Sequence, residues 1–166
     1  PPVVVAALAG AMHAAPDVPV GTVCERLTEA RLLFDPNVVK VVRGAGDRAL
    51  YFSRAPIPYA RDAFAQAGVA GEQALHAPDG LPDAGNWYRH LGIYAFRVHA
   101  LRRFVGWPVG ALERLESLEQ LRLLEHGVPM LVIESPEPVP GGVDTPADLE
   151  RVREILARTG GRDAGA

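Results

Sequence analysis

The apolar period of this chain switches repeatedly between that of a helix and that of a strand, and few folds are open to a chain built that way. Val3 to Ala14 reads as a helix, with Pro2 suited to its first turn. Val18 to Leu27 alternates in part and is rich in β-formers. The string "FDPN" then turns the chain into Val38 to Arg43, and "GAGD" links that run to Arg48 to Phe52, which predicts a β-hairpin. Tyr88 to Val98 reads as a buried strand. Ala100 to Gly106 and Ala111 to His126 read as helices, the second with a stripe of leucines at 112, 115, 118, 121 and 124 and an end at Gly127. "PMLVIES" is a short apolar strand, and Thr145 to Arg158 is a final amphipathic helix before a loose "TGGRDAGA" tail. Helices alternating with strands predict an α/β sheet, here with one antiparallel hairpin inserted.

Two stretches resist this pattern. "SRAPIPYARD" carries two prolines and predicts a fixed, extended segment that is neither helix nor full sheet donor. Residues 65 to 85 are rich in Gly, Ala and Pro without clear period and read as a surface loop with room for a short helix. Composition narrows the classes of function. With 48% hydrophobic residues over 166 positions the chain can bury a core, as one domain or a large piece of one. The net charge of −3 comes from 17 basic and 20 acidic residues interspersed along the chain, without the basic stripe of a nucleic-acid partner. A single cysteine, Cys24, excludes an internal disulfide framework and fits a reducing, cytoplasmic compartment. No apolar run approaches a membrane span, and the start lacks the pattern of a signal peptide. The chain enters a helix at once without an initiator Met, which fits either a processed chain or a segment that begins inside a domain.

The start of the last helix carries one acid more than capping needs. Thr145 serves as the N-cap, Pro146 suits the first helical position, and Asp148 stands where a capping box places its second acceptor. Asp144 precedes the cap, where an apolar staple residue is preferred. Two readings of Asp144 stand: an acid favoured by the helix dipole, worth about 0.3–1 kcal/mol, or a carboxylate kept for a ligand.

The strings "DPNVVKVV", "ALYFSRAPIPYARD", "RHLGIYAFR", "LERLESLEQLRLLEHG" and "GVDTPADLERVR" closely resemble the 3-deoxy-manno-octulosonate (Kdo) cytidylyltransferases, also called CMP-Kdo synthetases, from about Pro2 to Arg153. The resemblance implies an α/β fold of the nucleotide-diphospho-sugar transferase kind, Rossmann-like, a mixed sheet flanked by helices. It implies activity on CTP and Kdo, Mg²⁺ dependence, and a cytoplasmic homodimer that feeds lipopolysaccharide synthesis. Family members carry further residues ahead of the point matching Pro1, with an "ARxxSTRLPGKPL"-like CTP loop and a "QGDEP" turn, and neither string occurs here. Residues 1–158 are therefore expected to be the C-terminal two-thirds of a single nucleotidyltransferase domain, its acceptor-sugar and dimerisation part, without most of the nucleotide site. Residues 159–166 are expected to be a flexible tail. The chain alone is expected not to make CMP-Kdo.

Within that resemblance Asp144 matches a metal-ligand Asp and becomes the candidate catalytic and Mg²⁺-binding residue, because charge on a reacting triphosphate is offset by divalent metal on oxygen ligands. The acceptor is a sugar acid, whose carboxylate calls for a cation. Arg54 and Arg61 flank the stiff "APIPYA" segment and match family arginines that line the sugar site. His90 and Tyr94 lie four apart on a predicted strand and so share a face. Taken alone, such a histidine is more often a satisfied core residue, and the histidines at 13, 76, 90, 99 and 126 lack metal-ligand spacing; the family string "RHLGIYAFR" favours sugar binding. Glu119 and Gln120 fall on the non-leucine side of the Ala111 to His126 helix, ordinarily a solvated face, and match sugar-hydroxyl ligands. Glu113, Glu116, Asn37 and Lys40 are read as structural, and Tyr51, Phe52 and Trp107 as core or interface. Two other functions fit the same residues: a sugar-binding or dimerisation module without catalysis, and a sister cytidylyltransferase for another sugar acid such as a sialic acid.

Overall fold

The computed structural model describes residues 1–66 and 87–140, with Leu149, Glu150, Val152 and Arg153 beyond them. Strands β1 (Val20–Arg26), β2 (Lys40–Arg43), β3 (Ala49–Ser53), β4 (Tyr88–Phe96) and β5 (Met130–Glu134) form one sheet in the order β3-β2-β4-β1-β5. β1 runs parallel to β5 and antiparallel to β4, and β2 pairs antiparallel with both β3 and β4. The sheet is mixed, as expected, and the β2–β3 hairpin is present. Its link is a single 3₁₀ turn at Ala45–Asp47, in which Gly46 takes a left-handed φ of 65°.

The period of two along the strands splits the residues between two covers. Helix α1 (Pro2–Ala14) buries Val4, Leu8 and Met12, four apart on one side, against Val23 with Leu91, Ile93, Ala95, Leu131 and Ile133 around them. Gly21 lets the helix settle that closely, since a Cβ there would stand 2.6 Å from Met12 Sδ. Arg97 fixes the far end of α1, donating from Nη2 to Met12 O (2.7 Å) and Ala15 O (3.1 Å), where a cation also suits the helix dipole. On the opposite side, Val20, Cys24, Val41, Phe52, Tyr88, Met130 and Val132 are covered through Ala100, Leu118, Leu121 and Leu123. A smaller cluster of Leu27, Leu33, Phe64 and Trp87 joins the short helices α2 (Ala30–Phe34) and α3 (Arg61–Gln66) to the ends of β1 and β4.

The predicted Ala111 to His126 helix is two helices. After α4 (Val98–Gly106) come α5 (Ala111–Glu116) and α6 (Leu121–Glu125), separated by Ser117 in the left-handed region (φ 53°, ψ 48°). The leucine stripe breaks with them: Leu118 and Leu121 are buried, while Leu115 is 81% exposed. Polar contacts outweigh the local leucine period. Across the gap, Arg122 Nε donates to Glu113 Oε2 at 2.6 Å, and that guanidinium holds the Glu113 carboxyl below its usual range. Glu116, at the end of α5, takes hydrogen bonds from β3 instead of extending the helix. Leu149, Glu150, Val152 and Arg153 are helical or lie inside the predicted final helix, but its capped start, with Asp144, falls outside the described residues. Among the described residues no helix is long and apolar enough to cross a membrane.

Candidate functional site

The site begins with an irregularity in β4. Thr22 pairs with Tyr94 and Cys24 with His90, so two steps along β1 face four along β4. The surplus is taken up at Gly92, whose φ of 68° is one that L side chains rarely adopt. His90 and Tyr94 emerge on the same side of the sheet, as expected, with ring centroids 5.2 Å apart, and Phe52 from β3 meets His90 edge-on at 5.0 Å.

Hydrogen bonding sets the state of His90. The Thr22 hydroxyl donates to Ile93 O at 2.7 Å, which commits its one proton. The 2.8 Å contact between Thr22 Oγ1 and His90 Nε2 is therefore assigned as Nε2–H donating to the hydroxyl oxygen, which leaves Nδ1 with a lone pair. Burial pushes the imidazole down to about 4, so it stays neutral at ordinary pH. Burial, and then the charge of Glu119, push the Tyr94 phenol up, so it remains an O–H donor. An acceptor and a donor thus share this face, with the exposed Glu119 carboxylate within electrostatic reach of Tyr94, a set that suits the hydroxyls of a polyhydroxylated ligand. Thr22 was not singled out from the sequence; the available signal was a lone polar residue in the apolar run "VGTVC".

Arg54 is attached to the turn between α5 and α6, which leads into Glu119 and Gln120. Its Nε donates to Glu116 O (2.8 Å), Nη1 to Pro36 O (2.9 Å) and Nη2 to Ser117 O (3.4 Å). The guanidinium therefore caps the carboxyl end of α5, and a second hydrogen on each terminal nitrogen is left for a ligand. Gln120 is not on a solvated side as the helix pattern predicted: it is buried, directly ahead of α6, because the break at Ser117 rotates it inward. Arg61 is not brought to the group. It opens α3, is 84% exposed, and pairs with its neighbour Asp62 at 2.8 Å. Cys24 lies beneath the hairpin, and burial pushes its thiol up to about 12, which leaves it protonated and inert. A separate cavity of about 260 Å³ opens at the amino ends of β1 and β5, lined by Asp17, His99, Arg103, Trp107 and His126 among others, and contains none of the predicted site residues.

Comparison with known proteins bears on the fold and the family. A family model described as cytidylyltransferase matches residues 4–134. A 3-deoxy-manno-octulosonate cytidylyltransferase of Hahella chejuensis is 46% identical over 159 residues, covering 96% of this chain and 58% of the relative. One from Xanthomonas euvesicatoria pv. vesicatoria is 51% identical over 136 residues, covering 82% of this chain and 49% of the relative. The chain thus spans about half the length of the curated relatives it matches. A solved structure of CMP:2-keto-3-deoxy-manno-octonic acid synthetase complexed with CTP superposes with a TM-score of 0.77 at 36% identity, over 93% of this chain and 56% of that one. The sheet, its match to a solved relative and the family model over residues 4–134 lead to one assignment: the chain belongs to the cytidylyltransferase family.

Proposed function

We propose that this chain forms the acceptor-sugar part of a cytidylyltransferase that activates Kdo with CTP, giving CMP-Kdo and pyrophosphate for lipopolysaccharide biosynthesis. The observation that carries the reading is the pairing of His90 and Tyr94 on one face of the sheet, with Glu119 of the α5–α6 turn within electrostatic reach of Tyr94, in a sequence similar over most of its length to proteins named for that reaction. In the reaction the anomeric hydroxyl oxygen of Kdo forms a bond to the α-phosphorus of CTP, the bond from that phosphorus to the pyrophosphate oxygen breaks, and the hydroxyl proton is lost. His90 Nδ1 accepts from a sugar hydroxyl, the Tyr94 phenol donates to another, and Glu119 accepts from a third. Arg54 offers its remaining N–H groups to the sugar carboxylate. Such contacts orient the acceptor hydroxyl for in-line attack.

Mg²⁺ dependence with Asp144 as a ligand belongs to the same reading and rests on the "GVDTPADL" string. Among the described residues no group of three or more His, Cys, Asp or Glu side chains could hold a metal ion, and Asp144 lies outside them. A homodimer working in the cytoplasm completes the proposal. The deciding experiment measures pyrophosphate release by the enzyme that carries this chain, across Kdo and sialic acid, CTP and UTP, and a Mg²⁺ titration. Release with Kdo and CTP that rises with Mg²⁺ is expected. Preference for another sugar acid, or binding without turnover, overturns the proposal.

A further inference from the structure

The peptide groups of Arg54 are held from both sides by charges of opposite sign, a half-buried Glu116 and a buried Lys40. On the amino side, the Glu116 carboxylate accepts from the Arg54 backbone N–H at 3.0 Å and from the Ser53 hydroxyl at 2.6 Å. On the carbonyl side, Lys40 Nζ donates to Arg54 O at 2.5 Å and to Asp35 O at 2.9 Å. Lys40 is fully buried, a placement that lysine almost never takes without partners. Its ammonium lies within electrostatic reach of Asp35, Arg54 and Glu116. The two grips come from different elements, β2 for Lys40 and the last residue of α5 for Glu116, and they close on the single residue that precedes the double-proline segment.

An ordinary strand end needs no such arrangement, because water satisfies a surface N–H and C=O at little cost. Burying Lys40 beside these peptide groups costs desolvation, which its attraction to the partners offsets. The consequence of the two grips is geometric. They fix where the Arg54 side chain departs, and the same contacts pull the end of α5 against β3, which sets the height of the turn bearing Glu119 and Gln120.

We propose that Lys40 and Glu116 are positioning residues for sugar-acid binding, acting through the backbone of Arg54 and the turn at Ser117. The inference rests on the reading that this group of residues receives Kdo. Neither residue touches the sugar; each fixes the placement of residues that do. Loss of either grip lets the Arg54 peptide relax and disperses the ligand groups.

The test uses Glu116→Gln, which keeps the shape and one acceptor oxygen, and Lys40→Met, which leaves the Asp35 and Arg54 carbonyls without a donor, both in the enzyme that carries this chain. Calorimetric titrations of Kdo and of CTP are run beside steady-state kinetics and thermal unfolding. Each variant is expected to weaken Kdo binding and raise its KM by about tenfold, as loss of a charge-assisted hydrogen bond does, with CTP affinity unchanged and kcat within about threefold. A lowered Tm with wild-type Kdo affinity overturns the proposal and leaves a purely structural pair. Equal loss of Kdo and CTP affinity overturns it as well. If Lys40→Met does not fold, Glu116→Gln alone decides. Absence of Kdo binding by the wild type sinks the functional reading itself, and in that case hydrogen exchange at the Arg54 amide decides the grip: exchange no faster in Glu116→Gln than in wild type refutes it.

Discussion

The two sides of the sheet are covered by helices but are built to different rules. Under α1 the contacts among Val4, Leu8, Met12, Val23 and their neighbours are apolar throughout. On the other side the apolar cluster is interrupted by His90, Thr22 and Tyr94, and its cover is broken at Ser117 by hydrogen bonds to Glu116 and Arg54. The first side can change by small steps in volume and lose only stability. The second carries polar groups whose placement depends on one another, so a change there alters binding as well. A sheet with a period of two lets one strand serve both requirements at once, since neighbouring residues of β4 belong to opposite sides.

Leu8→Ala should show the largest effect, about 2–5 kcal/mol of lost stability, because Leu8 is 2% exposed and its removal leaves a cavity under α1. Denaturant unfolding measures the loss, and titration with Kdo should show unchanged affinity; a parallel fall in affinity would break the division between the two sides. The next effect depends on pH. An unfolded histidine takes up a proton near its ordinary value of 6.5, whereas His90 in the fold holds off until about 4, so between those values the unfolded chain binds more protons. Stability contributed by neutral His90 is complete above 6.5 and drains away as pH falls toward 4, by about 3 kcal/mol at most. Unfolding of wild type and His90→Asn compared from pH 7 to 4.5 isolates this slope, and equal slopes would mean that His90 is solvated. Gly92→Ala comes third, with a cost of about 1–2 kcal/mol for a side chain at φ 68° and a measurable weakening of Kdo binding as the ring pair shifts. Leu115→Gln should change stability by less than about 0.5 kcal/mol, since Leu115 is exposed despite its place in the leucine stripe; a larger loss would show that the stripe packs as one helix after all.

Elements with a strong period and local punctuation were legible in the sequence. The helix from Pro2, the hairpin after "FDPN" and the apolar strand "MLVIE" appear within a residue or two of their predicted bounds. The α5–α6 break was not, because "LERLESLEQLRLLE" satisfies a helical period by itself, and what opposes it comes from residues about sixty positions earlier, Ser53 and Arg54. For the same reason a helical period puts Gln120 on the solvated side, whereas the fold buries it. The shared face of His90 and Tyr94 was legible from their spacing, but the glycine that lets the strand bulge between them carries a φ that no alternation rule reports. In the sequence Arg54 is a cation beside prolines; its attachment to the carbonyls of Pro36, Glu116 and Ser117 is a property of the tertiary fold alone.

β1 lies between β4 and β5, and its parallel partner runs from Met130 to Glu134. During synthesis β1 leaves the ribosome long before β5 exists, so one edge of a buried strand waits unpaired while the hairpin, β4 and the α4–α6 helices are made. Parallel pairing across so much chain is slow to close, since the loop entropy must be met before the contact forms. An unpaired apolar edge is also a template for the wrong partner. The helix that precedes β1 packs on its face through Val4, Leu8 and Met12 and leaves that edge open, so only β5 closes it.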